Sequence, residues 1–359
     1  MNIKNASSEF SSQSRNSGLD FLRGAAAFTV AISHYLLWDD VTNTATEQTA
    51  NIAVEVFFIL SGFVLAPQIL RCLRGGTFRQ DFRIFLLRRW FRTIPPYIVA
   101  LVAITLISSG ASLRDFVFYL IYIQNFFGIN VTEDYFGIAW SLSVEEWFYV
   151  IFPVFLFVLH LKFGISITWS ALIFIVLVSL NRELFSTADN FDDGTRRIVI
   201  FRLDSITFGF VLYLWHRKLV GIHVIWLAGI CLVALGLTFF SLGVFAEYGQ
   251  NMEWLFFYLV PIFGSSLLLV FFKTNEKIFE QRHLVDFSRV VGKISYPVYL
   301  FHVTVISLMT INGLELLSIP NFLVYVGITG LVAYVFHVSF EQPILNIRPN
   351  YKNRGHEGH

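Results

Sequence analysis

The chain has 359 residues, of which 55% are apolar and 14% charged, with 40 phenylalanines, a mean hydropathy of +0.64 and a net charge of +1. Soluble domains carry about 25% charged residues. The composition therefore excludes a disordered or collagen-like chain, argues against a soluble globular protein, and fits an all-α polytopic membrane protein. Two cysteines, Cys72 and Cys231, are too few for a disulfide scaffold or a cysteine-built zinc site, and no metal is expected.

Residues 1–18 are polar and serine-rich, without the apolar core of a signal peptide. They read as a polar cytoplasmic segment, residues 19–343 as one membrane domain, and residues 344–359 as a polar cytoplasmic tail. Ten apolar windows are expected to span: 19–38, 51–70, 94–110, 140–160, 164–181, 198–215, 220–240, 254–272, 294–312 and 321–341. Each is near the length that crosses about 30 Å at about 1.5 Å per residue. The stretch 115–129 is short and aromatic, and it either spans or lies along the outer interface as a re-entrant segment.

Charge decides between the two. With the N-terminus inside and 115–129 not crossing, 20 of the 26 basic residues fall on the inner side. Arg114, Arg182, Arg196 and Arg197 fall outside, and Arg23 and Arg202 within spans. A crossing at 115–129 would put Arg217 and Lys218 outside and invert every later loop. The positive-inside rule favours ten spans with both termini inside. The acidic runs Asp39-Asp40 and Asp189 to Asp193 then face outward.

Ionisable groups within spans cost about 2.5–3.5 kcal/mol each on insertion scales, so each needs a reason. In the first span Arg23 and His34 are 11 residues apart, about three turns, and share one helix face about 16 Å apart along the axis. Gly24, Ala25, Ala26 and Ala27 between them allow a neighbouring helix to come close. The alternatives are snorkelling for Arg23 and an interhelical hydrogen bond for His34. His34 and Asp39 also spell a His-x-x-x-x-Asp pattern, but five residues is about 140° around a helix, so they do not face each other.

Farther along, Glu55 lies near the outer end of the second span, ahead of a small pair, Ser61-Gly62, suited to close packing. Segment 71–92 carries seven arginines, with Arg88, Arg89 and Arg92 just before the third span. These serve either topology and anionic lipid contact or phosphate capture. The fourth span opens with adjacent Glu145 and Glu146, about 100° apart, so at least one is expected to face the bundle interior. Arg202 and Asp204 in the sixth span read as an internal ion pair. The ninth span carries Tyr299 and His302, and the tenth closes on Glu341 and Pro343.

Seven pieces in chain order match one pattern: Leu19-Asp20-x-x-Arg23-Gly24 with His34; Phe57 to Phe63; Arg89-x-x-Arg92 with Pro95; and Trp140 to Glu145 with Phe148-Tyr149. Arg202-Leu203-Asp204 with Gly209, Ile294-Ser295-Tyr296 with Tyr299 and His302, and Glu341 with Pro343 complete it. The chain resembles the integral-membrane acyltransferase-3 family, which includes bacterial O-acetyltransferases of surface polysaccharides. Many members have proline two residues after the ninth-span histidine, where this chain has Thr304. Some carry an added esterase-like domain. None follows here, so a second transfer step is expected to need a separate protein, if there is one.

The resemblance implies a ten-helix acyltransferase of the bacterial inner membrane with acyl-CoA, usually acetyl-CoA, as co-substrate. It implies that Arg23 with His34, and Arg89 with Arg92, form the family's two signatures. On that basis Arg23, Arg89 and Arg92 are expected to hold the anionic donor on the cytoplasmic side. His34 is expected to act as general base or transient acyl carrier, with Glu145 orienting it. Glu55, Arg202, Asp204 and His302 are expected to contact the acceptor, a cell-surface carbohydrate on the outer side, and no nucleic acid. The alternatives are an acyltransferase for a small lipophilic product such as a macrolide, and a proton-coupled transporter.

Overall fold

The computed structural model describes residues 16–38, 44–73, 78–186, 191–245, 253–278, 281–316, 318–349 and 351. The acidic pair Asp39-Asp40, part of the run 189–193, Arg74, and most of the two polar terminal segments lie outside the described residues.

The described chain is helical throughout its regular structure. It runs α1 Ser17–Leu37, α2 Thr44–Cys72, α3 Phe78–Ile107, α4 Leu113–Leu120, α5 Ala139–Leu156 and α6 Ile167–Phe185. It continues with α7 Leu203–Leu219, α8 Val224–Phe245, α9 Phe256–Ile278, α10 Arg282–Ile311, α11 Ile319–Phe336 and α12 Gln342–Asn346. π-helical turns extend α5 over Phe157–Lys162 and join α11 to α12 over His337–Glu341. A helix occupies most of each of the ten expected windows. Among the described residues nine helices are long and apolar enough to cross a membrane. The first window, α1, has the length at 21 residues, but Asp20, Arg23 and His34 dilute its apolar character.

Local chemistry sets several of the ends. Asn16, Ser112, Ser166 and Ser318 each place a side-chain oxygen where it accepts a backbone N–H of the first turn of α1, α4, α6 and α11. Gly313, at a φ of 72°, follows α10 in the left-handed conformation that ends helices and that a side chain would strain. The expected departure at Thr304 leaves α10 unbroken, with Thr304 buried inside it.

α2 is the most enclosed of the nine apolar helices, and α8 and α11 are among the least. The exposed Leu, Ile, Val and Phe side chains of α8 and α11 form the surface a bilayer would cover. At the centre, α2 meets α7 backbone to backbone. A Cβ at Gly62 would stand 1.9 Å from the Ile206 carbonyl oxygen, and one at Gly209 1.9 Å from that of Ile59. The expected close packing at Ser61-Gly62 is therefore present. α1 and α10 run side by side in the same direction, with Gly24 against Val291 and Gly292 against Asp20. The small residues after Arg23 do admit a neighbour, and that neighbour is α10.

Segment 115–129 does not cross. α4 is eight residues long, about 12 Å, and the chain then turns back through Tyr122, at a φ of 58°. The polar backbone around this turn is tied into the protein by side chains. Gln124 donates to the Ala139 carbonyl at 3.2 Å and to Ser143 Oγ at 2.6 Å. Asn125 donates to the carbonyls of Trp140 and Arg197. Parity is fixed independently: the Gly18 N–H donates to Asn275 Oδ1 at 2.8 Å, so the start of α1 and the end of α9 lie at one face. Eight crossings between them satisfy this, and a ninth through 115–129 would not. The chain is a multi-pass membrane protein.

Candidate active site

Two connected cavities open at the face where α1 begins. The narrower is a cleft of about 780 Å³. Arg23 of α1 and Arg89 and Arg92 of α3 line it, with Glu145 and Tyr149 of α5 and Tyr299 of α10. The wider, a vestibule of about 2210 Å³, shares Arg23, Val64 and Arg92 with the cleft. All three arginines of the expected donor site thus come together, from two helices far apart in sequence.

Arg89 donates to Gln68 Oε1 at 2.8 Å, and Arg23 pairs with Asp20 at 3.4 Å. Glu145 does not meet His34 in the way expected. Its carboxylate accepts from Ser61 Oγ at 2.5 Å and from Tyr149 OH at 2.9 Å, inside the cleft. Its neighbour Glu146 is buried. Both acids therefore turn toward the protein.

The partner of His34 is His302. His34 Nδ1 lies 2.8 Å from His302 Nε2, the ring planes 14° apart. His302 is fully buried and His34 half-buried. The parallel run of α1 and α10 brings the two rings level. The hydrogen-bond partners assign the tautomers of the neutral rings. His302 Nδ1 faces the carbonyls of Tyr299 at 2.7 Å and Val298 at 3.2 Å, which only accept, so Nδ1 carries the proton. Its Nε2 is then an acceptor, and His34 Nδ1–H donates to it. The remaining nitrogen of His34, Nε2, keeps a lone pair able to take a proton or attack a carbonyl.

Cleft and histidine pair adjoin. Tyr299 lines the cleft and packs against His302 with ring centroids 5.9 Å apart, and its hydroxyl meets Ser141 Oγ at 2.6 Å. His302, expected as an acceptor contact, lies hydrogen-bonded behind His34.

Glu55, Arg202 and Asp204 are together but sealed. The expected Arg202–Asp204 pair is replaced by two others: Arg202 with Glu55, and Arg182 with Asp204 at 2.8 Å. All four side chains are at most 2% exposed. Phe257 of α9 lies between the cations, its centroid 4.1 Å from the Arg182 guanidinium carbon and 4.5 Å from that of Arg202. Arg182 was expected in an outer loop because the apolar window stops at residue 181. The helix runs on to Phe185, which draws Arg182 into the bundle. Also unforeseen is His337, whose Nδ1 lies 2.7 Å from Glu341 Oε2 in the vestibule wall. Its four-residue spacing from Glu341 was readable. Both cysteines are buried and free, and among the described residues no group of three or more His, Cys, Asp or Glu could hold a metal.

Comparison with known proteins gives the same reading over nearly the whole chain. O-acetyltransferase OatA of Staphylococcus aureus, in strains NCTC 8325 and MRSA252, is 25% identical over 357 residues, covering 91% of this chain. The alignment covers 57% of the length of those relatives. No solved structure matches the chain. The acyltransferase-3 family, described as an acyltransferase domain, matches residues 16–338. With that match spanning the cleft and the histidine pair alike, the chain belongs to the acyltransferase-3 family.

Proposed function

We propose that the protein is an O-acetyltransferase of a bacterial inner membrane, with both termini cytoplasmic, that moves an acetyl group from acyl-CoA to a hydroxyl of a cell-surface carbohydrate. The observation that carries this reading is the His34–His302 pair with its single free lone pair, next to an arginine-lined cleft. The names of the OatA relatives support acetyl as the group moved.

In this reading Arg23, Arg89 and Arg92 draw the donor's phosphates to the mouth of the cleft, and the thin pantetheine arm extends toward Tyr299. His34 Nε2 takes the proton of the acceptor hydroxyl as its oxygen attacks the thioester carbonyl. The carbon–sulfur bond breaks, and the thiolate leaves with the proton that His34 held. The products are an ester and a free CoA thiol. His302 accepts the Nδ1 hydrogen bond throughout and keeps the base in one tautomer. Glu145 holds Ser61 and Tyr149 in place along the cleft.

Purified protein with labelled acetyl-CoA should release CoA thiol, faster with the right glycan. His34→Ala should slow both release and label transfer by about 10²–10⁴-fold. Release by His34→Ala equal to the parent would overturn the mechanism. Uptake of label into vesicles without thiol release would turn the reading to a transporter.

A further inference from the structure

The vestibule is built for a larger and more highly charged group than the cleft beneath it. Its empty space is nearly three times that of the cleft. Five cations line it, Arg23, Arg92, Lys273, Lys293 and Arg348, against two acids, Asp20 and Glu341. Both acids already have partners, Asp20 with Arg23 and Glu341 with His337. Lys273 is tied to the Ile222 carbonyl. Arg92, Lys293 and Arg348 form no ion pair among the described residues. Burial holds Arg348 below the ordinary arginine value, and the nearby Arg88 and Arg92 guanidiniums add to this. Like charges crowded around one opening create a field that an anion relieves.

Position sorts these cations. Arg23 and Arg92 line both cavities and so stand at the junction. Lys293 and Arg348 line the vestibule alone. A CoA donor has its pyrophosphate where the thin arm joins the nucleotide, and one further phosphate on the ribose beyond it. The order of charges along the cavities repeats the order of phosphates along that molecule.

We infer that the vestibule binds the adenosine 3′,5′-bisphosphate end of the donor, with Lys293 and Arg348 holding the ribose 3′-phosphate and Arg23 and Arg92 the pyrophosphate. The inference rests on the reading of acyl-CoA as donor and adds a selectivity to it: the protein distinguishes CoA from dephospho-CoA. The arginine and lysine that carry this lie outside both family signatures, at the last described residues of the chain and midway along α10.

The test is calorimetry on the full chain in neutral detergent, with CoA, dephospho-CoA and 4′-phosphopantetheine as titrants. The parent should bind CoA at least tenfold tighter than dephospho-CoA. Lys293→Ala and Arg348→Ala should each shrink that ratio toward one while leaving 4′-phosphopantetheine affinity unchanged. Arg348→Lys should restore part of the ratio, since charge remains and the fork is lost. Adenosine 3′,5′-bisphosphate alone should compete with CoA, and phosphatidylglycerol added to the micelles should not. Equal binding of CoA and dephospho-CoA by the parent would overturn the inference and leave the donor intact. Displacement of CoA by phosphatidylglycerol at matched concentration would make the vestibule a lipid-headgroup site. No binding of CoA or 4′-phosphopantetheine would overturn the donor reading itself.

Discussion

His34 and His302, 268 residues apart in sequence, meet through a single 2.8 Å hydrogen bond between Nδ1 of the first and Nε2 of the second. The carbonyls of Tyr299 and Val298 leave His302 one tautomer, and through it leave His34 one tautomer. A half-buried ring backed by a fully buried ring has its orientation set in advance, as the proposed role of general base requires.

The two histidines should therefore fail differently. His34→Ala should lower turnover by about 10²–10⁴-fold, the usual loss for a general base. His302→Ala should lower kcat with little change in KM, because the lone pair of His34 is then present in only a fraction of molecules. His302→Gln, which can both accept from His34 and donate to Tyr299, should recover part of the loss. Steady-state kinetics on the three variants would check this. A His302→Ala enzyme with unchanged kcat and raised KM would return His302 to acceptor binding.

The α2–α7 contact should tolerate no added carbon. Gly62→Ala would drive a Cβ into the Ile206 carbonyl and Gly209→Ala one into that of Ile59. Overpacking costs about 1–3 kcal/mol, and more where backbone is the obstacle. Both variants should lower the thermal midpoint in detergent. Gly327→Ala, where nothing lies within 4 Å of the new carbon, should leave it unchanged.

The sealed ion pairs make a prediction about double substitution. Glu55→Gln or Arg202→Met alone leaves a buried charge without its partner, a loss of about 3–5 kcal/mol. Removing both should cost much less than the sum. Thermal denaturation of the four proteins completes the cycle. Additive losses would mean that the two side chains act independently.

Orientation is open to direct measurement. Cysteine at Ala45, which is exposed just inside the start of α2, should react with an impermeant reagent in sealed cells, and cysteine at Gln80, exposed at the start of α3, should not. The native Cys72 and Cys231 are buried and should stay silent. The opposite labelling pattern would invert the protein in the membrane.

Much of this molecule was legible because the bilayer limits what a sequence can do. Apolar length gave the helices, and the uneven placement of lysine and arginine gave a topology in which 115–129 does not cross. Arg23 could be picked out because an ionisable group within a span is expensive, and Arg89 with Arg92 because they match the second signature of the family. Partnerships were not legible. Nothing in the spacing of Arg202 and Asp204 says that each would reach past the other, to Glu55 and Arg182. Nor could Glu145 be assigned to Ser61, or His34 to His302, since these pairings depend on which helices become neighbours. The parallel approach of α1 and α10 came only from three-dimensional packing at Gly24 and Gly292.

The quartet of Glu55, Arg182, Arg202 and Asp204 has an electrical consequence. Moving one elementary charge through the full membrane potential involves about 2.3 kcal/mol per 100 mV. Two formal positive and two formal negative charges, closed on one another around Phe257, sum to zero. A rigid shift of these four side chains together would carry no net charge through the field. The quartet itself therefore offers the voltage across an energised membrane no gating charge on which to pull.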